Sequence, residues 1–372
     1  MKPESQLVPP SPAPAGPAGD PSKAFSSYHT AGLPRLLREL GSSLILSTYQ
    51  SGRVIVVRAD GDKLNTHFRA FPRPMGIAVG RQHLAIGTQQ HVWEYRDQPE
   101  MCRELDPPDR HDACFLPRSC QVTGNINVHE IAFAQDGLWI TNTRFSCLSK
   151  LDGKHSFVPC WRPPFITALA PEDRCHLNGL AIRDGRARWV TAFGAADTPQ
   201  GWRATKSTGG VLLEVPSGDV VARGLCMPHS PRWYAGKLWV LESGRGTVAT
   251  VDPGTGEVST VAELPGFTRG LAFAGPLAFV GLSQVRESNL FSDLPLLSRV
   301  EERLCGVWVL DVRTGETLGS QRFDGIVQEI FDVQLLGGRC FPELAEPESD
   351  LAGGLFVLPP ETAMEPALAA IA

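Results

Sequence analysis

Three histidines stand at or just before the start of short apolar segments that have the character of buried strands. The segments are INVHEIAF with His129, HLNGLAI with His176 and HSPRWY with His229. Imidazole nitrogen binds Zn, Fe, Cu, Ni and Mn, so these side chains could together hold a transition metal of unspecified identity. The alternative is that each ring packs and forms a hydrogen bond at a strand end, since this spacing is less specific than an HExxH motif.

The elements that must bring these histidines together are repeated groups of short strands. The first strands of six groups are MGIAVG at Met75, HEIAFA at His129, NGLAIR at Asn178, HSPRWY at His229, RGLAFA at Arg269 and QEIFDV at Gln328. Five of these groups continue with second and third strands after turn signals such as AQDG and DPGTGE. A repeat of roughly 40 to 60 residues built from short antiparallel strands is typical of a β-propeller.

The ring is predicted to close with strands from both ends of the chain. QEIFDVQLL has no strands after it, whereas SLILSTYQ, RVIVVRAD and LNTHFRAF near the N-terminus lack a first strand. Pairing them removes the open sheet edge. We therefore predict an all-β, six-bladed β-propeller closed by N- and C-terminal strands. Its parts are a disordered Pro/Ala-rich tail (1–28), the propeller with a short helix at LPRLLREL (29–342) and a C-terminal tail (343–372).

In such a fold the first strand of each blade lines the channel, and the second strand returns to the same mouth. The candidate residues at this mouth are Glu242, Arg269 and Asn142 for catalysis, Tyr49, Gln50, Arg144, Asn178 and Gln328 for substrate binding, and His129, His176 and His229 for the metal. A rim holding three histidines, a carboxylate, two amides and two guanidinium groups is more polar than packing requires.

Each candidate role has an open alternative. Glu242 could be a metal ligand or the general base for a metal-bound water, and without a metal a His–carboxylate pair could act as acid and base near neutral pH. Arg269, with Arg144 nearby, suits a carboxylate or phosphate group; otherwise it forms an ion pair with Glu242 or Glu329. Asn142 could orient a ligand or bond a turn.

Charge and composition exclude several classes of function. The formal net charge is −5 and no run of Lys or Arg occurs, which argues against nucleic-acid binding. No apolar run is long enough to cross a bilayer and no signal-peptide pattern is present, so we expect a cytoplasmic protein without a membrane partner. The nine cysteines are odd in number and lack a CxxC pair, which favours reduced thiols.

Several motifs resemble a bacterial family of uncharacterised proteins described as conserved hypothetical. They are LPRLLRELGSSLILSTYQSGRV, FPRPMGIAV, NVHEIAF, CHLNGLAI and MPHSPRWY, and the resemblance extends from about Ser26 to Pro342. It implies a propeller-like body and no particular activity. More distantly, the architecture is similar to six-bladed gluconolactonase, senescence-marker and strictosidine-synthase-like proteins, which bind a metal or substrate at the channel mouth. Their site is typically Glu, Asn and Asp around calcium, and a His-rich rim does not suit that ion.

Two hypotheses follow for function. The first is a metal-dependent enzyme, a hydrolase or an oxidoreductase, with a His-rich site at the channel mouth and a small-molecule or peptide substrate that carries an anionic group. The alternative is a non-catalytic propeller scaffold that binds a protein or peptide partner at the same face. Fold similarity alone does not decide between them.

Overall fold

The computed structural model describes residues 24–284 and 293–358. Six sheets of four or five strands form the six blades of a β-propeller. The predicted fold class is therefore confirmed. The first 23 residues of the predicted tail lie outside the described residues.

The strands are numbered in chain order. The first half contains β1 (Ser27–His29), β2 (Ser42–Thr48), β3 (Arg53–Asp60), β4 (Lys63–Ala70), β5 (Ile77–Val79), β6 (His83–Gly87), β7 (His91–Asp97), β8 (Ala113–Val122), β9 (Val128–Ala134), β10 (Gly137–Asn142), β11 (Cys147–Lys150), β12 (Val158–Trp161) and β13 (Leu177–Arg183). The second half contains β14 (Arg186–Ala192), β15 (Gly210–Glu214), β16 (Val220–Leu225), β17 (Pro228–Tyr234), β18 (Lys237–Glu242), β19 (Thr247–Val251), β20 (Val258–Glu263), β21 (Phe267–Ala274), β22 (Leu277–Ser283), β23 (Cys305–Asp311), β24 (Thr317–Phe323), β25 (Asp332–Gly337) and β26 (Pro342–Leu344).

Helices are short and connect or cover the blades. They are α1 (Leu33–Glu39), α2 (Pro295–Arg299), α3 (Asp350–Gly354) and the 3-10 turns Pro99–Glu104 and Gly201–Thr205. The predicted helix at LPRLLREL is confirmed as α1, with Pro34 in its first turn, and its Leu33 and Leu37 are buried against the first and last blades. Within the described ranges, no helix is long and apolar enough to cross a membrane.

Closure of the ring uses both ends of the chain, as predicted. The first blade consists of β2, β3 and β4 together with β25, which supplies its inner strand. β25 pairs antiparallel with β2, from Ser42 opposite Gly337 to Ser47 opposite Asp332. The inner strands of the other five blades are β5, β9, β13, β17 and β21. The innermost positions of six blades thus face one channel.

The predicted boundaries of the propeller body need correction at both ends. β1 begins at Ser27 and pairs with β24 of the last blade, and the ring of Phe25 packs 4.6 Å from that of Phe68. At the other end, β26 pairs in parallel with β8 of the second blade, and Glu343 and Leu344 are buried. Terminal strands that cover outer sheet edges are difficult to recognise from three-residue segments.

Neighbouring inner strands approach closely near the predicted site. A Cβ added at Gly179 of β13 would lie 2.3 Å from Cδ of Pro231 in β17 and 2.3 Å from Oγ1 of Thr191. Only glycine permits this approach, which brings the blades that carry His176 and His229 together.

Candidate functional site

The histidines come from three blades, and in each blade a residue with left-handed backbone stands just before the inner strand. His129 and His229 are each the second residue of an inner strand, and each follows by two positions a residue in the left-handed region, Asn127 (φ 56°) or Met227 (φ 49°). In the blade between them the histidine itself, His176, takes the left-handed position (φ 52°). Asn178 then occupies the place that corresponds to His129 and His229. Left-handed backbone at non-glycine residues is costly and clusters at functional sites.

The three imidazole rings lie together at the channel mouth. The ring centres of His129 and His176 are 4.8 Å apart, and those of His129 and His229 are 6.4 Å apart. With a metal–nitrogen bond of about 2.0–2.1 Å, two tetrahedral imidazole ligands have ring centres about 5 Å apart. The first separation suits a shared ion, and the second is wider. As the side chains are placed, no group of three or more His, Cys, Asp or Glu residues among residues 24–284 and 293–358 could hold a metal ion.

Hydroxyl groups at the end of the second strands orient two of the rings. Nδ1 of His129 lies 2.8 Å from Oγ1 of Thr143, and Nδ1 of His229 lies 2.7 Å from Oγ of Ser243. Each hydroxyl donates its own proton to a carbonyl of the next blade, that of Leu177 or Thr268. The hydroxyl oxygen must therefore accept from Nδ1–H, which leaves the Nε2 lone pair of each ring for a ligand.

The third ring is oriented by a carboxylate. Nδ1 of His176 lies 2.9 Å from Oδ2 of Asp173, and the indole Nε1 of Trp202 donates to the same oxygen over 3.2 Å. The carboxylate accepts from Nδ1–H, so Nε2 of this ring is likewise available. Within the described part of the chain, no side chain or backbone group forms a hydrogen bond with Nε2 of any of the three rings.

Burial keeps two of the imidazoles neutral. His129 is 8% exposed and His229 is 4% exposed. Desolvation lowers the pKa of both rings well below the usual value, and the positive charge of Arg269 lowers both further. A neutral imidazole is the form that binds a metal.

Arg269 lies beside the two buried rings, and its own side chain is 12% exposed. Its guanidinium carbon stacks 3.4 Å above the ring centre of Phe331, and its Nη1 forms an ion pair with Glu329 over 3.3 Å. Desolvation lowers the pKa of Arg269 to about 10. The ion pair with Glu329 was one of the alternatives that the sequence left open.

A small cavity joins these groups. It measures about 10 Å³, room for one water-sized atom, and is lined by His129, Glu130, Asn178, His229, Ser230, Arg269, Phe331 and Asp332. Two buried donors in this lining, Nη2 of Arg269 and Nδ2 of Asn178, have no hydrogen-bond partner among residues 24–284 and 293–358. Lone pairs and donors are thus presented to the same space.

Below this cavity the channel is closed by a charged network. Glu130 pairs with Arg232, whose Nη2 is 3.9 Å from Asp332. Burial raises the pKa of Glu130 to about 7 and also raises that of Asp332. Beyond it, a second cavity of about 180 Å³ opens at the other end of the channel, lined mainly by apolar side chains such as Ile131 and Trp233.

Two segments between strands contribute to a cover over the mouth: residues 193–209, which join β14 to β15, and α2 with the residue before it, Leu294. Trp202, in the 3-10 turn Gly201–Thr205, packs with its ring centre 4.5 Å from that of His176. It belongs to a buried cluster that includes Phe193 and, from the second segment, Leu294 and Leu296. Phe193 contacts both His176 and His229, with ring centres 4.4 Å and 5.0 Å away. The site is therefore an enclosed pocket under a hydrophobic cover.

Two predicted catalytic residues stand apart from the histidines. Oε1 of Glu242 accepts from the amide of Cys226 and from Nε of Arg245, both over 3.0 Å. At the equivalent place in its own blade, Asn142 accepts from the amide of Phe145 over 3.1 Å. Both side chains thus bond nearby turns, which was the alternative considered for Asn142. Of the three catalytic candidates, only Arg269 joins the histidines.

The predicted substrate-binding residues divide in the same way. Asn178 lines the cavity, and Tyr49 lies at its edge, with its ring centre 6.0 Å from that of Phe331. Gln50 and Gln328 are exposed, and Arg144 is exposed with Nη1 bonded to the carbonyl of Asn125 over 2.9 Å. Gln328 precedes the inner strand β25 by four residues, and Phe331 occupies the mouth in its place.

Sequence reasoning placed Ser243 at the channel mouth but assigned no role to the groups that orient the rings. Thr143 lies between the two proposed residues Asn142 and Arg144, and Ser243 follows Glu242. A one-residue bulge between β9 and β10 shifts the register at this point, so the residue after the expected one faces the histidine. Asp173 could have been found from the spacing D-x-x-H, which places a carboxylate near His176 in a turn.

Comparison with known proteins supports the fold and leaves the activity open. Residues 31–344 match a family described as a domain of unknown function, DUF4915. Among curated proteins, none matches this sequence. The fold is similar to a chain in the crystal structure of a nidogen/laminin complex, with a TM-score of 0.51, 10% identity, and coverage of 80% of this chain and 100% of that chain. A protein of unknown function from Bacteroides caccae, solved at 1.35 Å resolution, is similar with a TM-score of 0.50 and 9% identity, and the match covers 79% of this chain and 98% of that chain.

The family match covers most of the sequence, and the chain therefore belongs to the DUF4915 family of domains of unknown function.

Proposed function

We propose that the channel mouth is the active site of a metal-dependent enzyme, in which His129, His176 and His229 bind one divalent transition metal through Nε2. The observation that carries this proposal is the use of every Nδ1 by an oxygen acceptor: Thr143, Asp173 and Ser243. Metal-binding histidines characteristically have such partners, which fix the tautomer and the ring orientation.

Three protein ligands leave positions for water and substrate. A metal ion held there would supply Lewis acidity or a reactive bound water, which is compatible with hydrolysis or oxidation of a substrate that carries an anionic group. Binding requires the His229 ring to move about 1 Å toward His129, given metal–nitrogen bonds of about 2.0–2.1 Å.

The burial of the His129 and His229 rings favours a small ligand over a protein partner at the channel mouth. His129 and His229 are at most 8% exposed and lie under the cluster that contains Trp202 and Phe193. The flat surface of a protein partner would not contact them, whereas an ion or the end of a small molecule could. The scaffold hypothesis has no comparable contact in its favour among the described residues.

Titration of metal-stripped protein with Zn²⁺ or Co²⁺ tests the proposal. We expect one ion per chain, and an affinity at least about 100-fold weaker in each of His129→Asn, His176→Asn and His229→Asn, since each loses one nitrogen ligand. His83→Asn is the matched control, because this exposed residue begins β6 at the opposite face. The proposal is contradicted if the wild-type protein binds no stoichiometric metal, or if only the His83→Asn control loses metal affinity.

A further inference from the structure

We infer that the cavity at the other end of the channel binds a small protonated amine whose apolar body is about the size of one aromatic ring, and that the carboxylate of Glu130 holds its ammonium group. This cavity lies on the far side of the charged network from the histidines. The inference therefore goes beyond the proposed function and needs no metal ion.

The walls of this cavity are apolar and fixed in place. Inner strands of four blades supply apolar side chains such as Ile131. The ring of Trp233 is held between Trp189, with ring centres 5.2 Å apart, and Arg183, whose guanidinium carbon lies 4.2 Å from its ring centre. Arg183 is 41% exposed and pairs with Asp184 over 3.4 Å, so solvent and this partner screen its charge. The walls are suited to an apolar group.

The volume of the cavity sets the size of that group. The cavity measures about 180 Å³, and a cavity of about 150 Å³ lined by Leu, Ile and Phe side chains takes up one benzene molecule. One aromatic ring with one or two further atoms therefore fits. Ala78 and Ala132 belong to the lining, and a larger side chain at either position would fill part of this volume.

The floor of the cavity carries an excess of negative charge. Glu130 and Arg232 line the cavity and form an ion pair, and Nη2 of Arg232 is also 3.9 Å from Oδ1 of Asp332. Two carboxylates thus share one guanidinium group, so the sum is −1 when both are ionised. Desolvation raises the pKa of Glu130 to about 7 and also raises that of Asp332, although Arg232 opposes both shifts. A second cation at the floor would stabilise both ionised carboxylates.

Glu130 is the carboxylate that a ligand in this cavity can reach. Its Oε1 pairs with Arg232 and its Oε2 accepts from the amide of Leu180 over 3.1 Å, and each oxygen of an ionised carboxylate has a further lone pair. Asp332 lines the small cavity at the mouth instead. An ammonium group can donate to Glu130 in a charge-assisted hydrogen bond and supplies the charge that the floor lacks. An anionic ligand would add a third negative charge there.

Calorimetric titration with three ring compounds tests the inference. Benzylamine, benzyl alcohol and benzoate place a cation, a neutral hydroxyl and an anion on the same ring. At about pH 8, above the pKa of Glu130, we expect one benzylamine per chain. It should bind at least about tenfold more tightly than benzyl alcohol, the difference between a charge-assisted and a neutral hydrogen bond. Benzoate should bind more weakly than the alcohol, because Glu130 repels it.

Glu130→Gln should bind benzylamine and benzyl alcohol about equally, because the floor then has no excess charge. Glu94→Gln is the matched control and should keep the preference for the amine, since Glu94 lines a neighbouring cavity of about 510 Å³ that shares Phe133. Ala132→Phe fills the cavity and should bind neither compound, so it tests the site if Glu130→Gln fails to fold.

Four results would overturn the inference. The first is that wild-type protein does not bind benzylamine, and the second is that it binds benzyl alcohol or benzoate as tightly. The third is that Glu94→Gln removes the preference for the amine, which would place the ligand in the neighbouring cavity. The fourth is that Ala132→Phe binds benzylamine as tightly as wild type does.

Discussion

Oγ of Ser243 lies 2.7 Å from Nδ1 of His229 and donates its proton to the carbonyl of Thr268 in the next blade. One hydroxyl therefore sets the tautomer of a candidate metal ligand and fastens two blades together. Thr143 repeats the arrangement between His129 and Leu177. Orientation of the rings is thus built into the contacts between blades.

Replacement of these hydroxyls should weaken metal binding. We expect Ser243→Ala and Thr143→Val each to reduce metal affinity about 10- to 100-fold, because the ring loses the acceptor that fixes Nδ1–H. Isothermal titration of stripped protein with Zn²⁺ measures the change.

Ser47→Ala is the matched control for both variants. Oγ of Ser47 donates to the carbonyl of Met75 over 2.5 Å and so links two blades in the same way, but no hydrogen bond joins it to a histidine of the described residues. All three variants should lose about 1 kcal/mol of stability from the lost hydrogen bond. Equal metal affinity in all three would show that the hydroxyls serve only the fold.

The buried histidines should also make stability depend on pH. The pKa of His129 and His229 is lowered in the folded protein, so below about pH 6.5 the unfolded chain binds more protons and stability falls as the pH decreases. We expect the free energy of unfolding of metal-free wild type to fall between pH 6.5 and pH 5. The fall should exceed that of a His129→Asn/His229→Asn variant by about 3 kcal/mol.

Urea unfolding of both proteins at several pH values gives this difference. Glu130, whose pKa burial raises to about 7, titrates in the opposite sense but is present in both proteins. A double variant whose stability falls as steeply as that of wild type would mean that the two rings are not held neutral.

The C-terminal segment should be held in place by one carboxylate. Glu343 forms ion pairs with His67 at 3.0 Å and with Arg69 at 2.5 Å, and these partners lower its pKa to about 2 although burial opposes them. We expect Glu343→Gln to lower the free energy of unfolding by about 2–4 kcal/mol at pH 7, because the buried Arg58 and the partly buried Arg69 lose their anionic partner.

The pH profile identifies the cause. Since the folded pKa lies below the unfolded value, the stabilisation is present above about pH 4.5 and is lost as the pH falls toward about 2. The difference between wild type and Glu343→Gln in denaturant unfolding should shrink over that window. Glu302→Gln, which removes an exposed partner of Arg322, should cost less than about 1 kcal/mol at any pH. A Glu343→Gln variant as stable as the Glu302→Gln control would contradict this account.

The architecture was accessible from sequence because the strand repeat is regular. Segments such as HEIAFA and NGLAIR share one pattern, a run of buried residues followed by partly buried ones. QEIFDVQLL without following strands pointed to closure with the N-terminus. The terminal strands β1 and β26 were missed, since three-residue edge strands are defined by their partners rather than by their own pattern.

The site was only partly accessible from sequence. The repeat brought His129, His229, Arg269 and Asn178 to one mouth, because equivalent positions in equivalent strands must lie near one another. It did not separate Asn142 from Thr143 or Glu242 from Ser243, because register shifts of one residue decide which of them faces the channel. Gln328 was misaligned because β25 begins only at Asp332, four residues after it, whereas His129, Asn178 and His229 are each the second residue of their inner strand.

X-ray absorption of zinc-loaded protein at the zinc edge tests the central claim most directly. The account predicts three imidazole nitrogens at about 2.0–2.1 Å and one oxygen ligand in wild type, and two imidazoles in His129→Asn, with the spectrum of His83→Asn unchanged. A zinc ion bound by fewer than three imidazoles in wild type, or a spectrum of His129→Asn identical to that of wild type, would contradict a metal site shared by His129, His176 and His229.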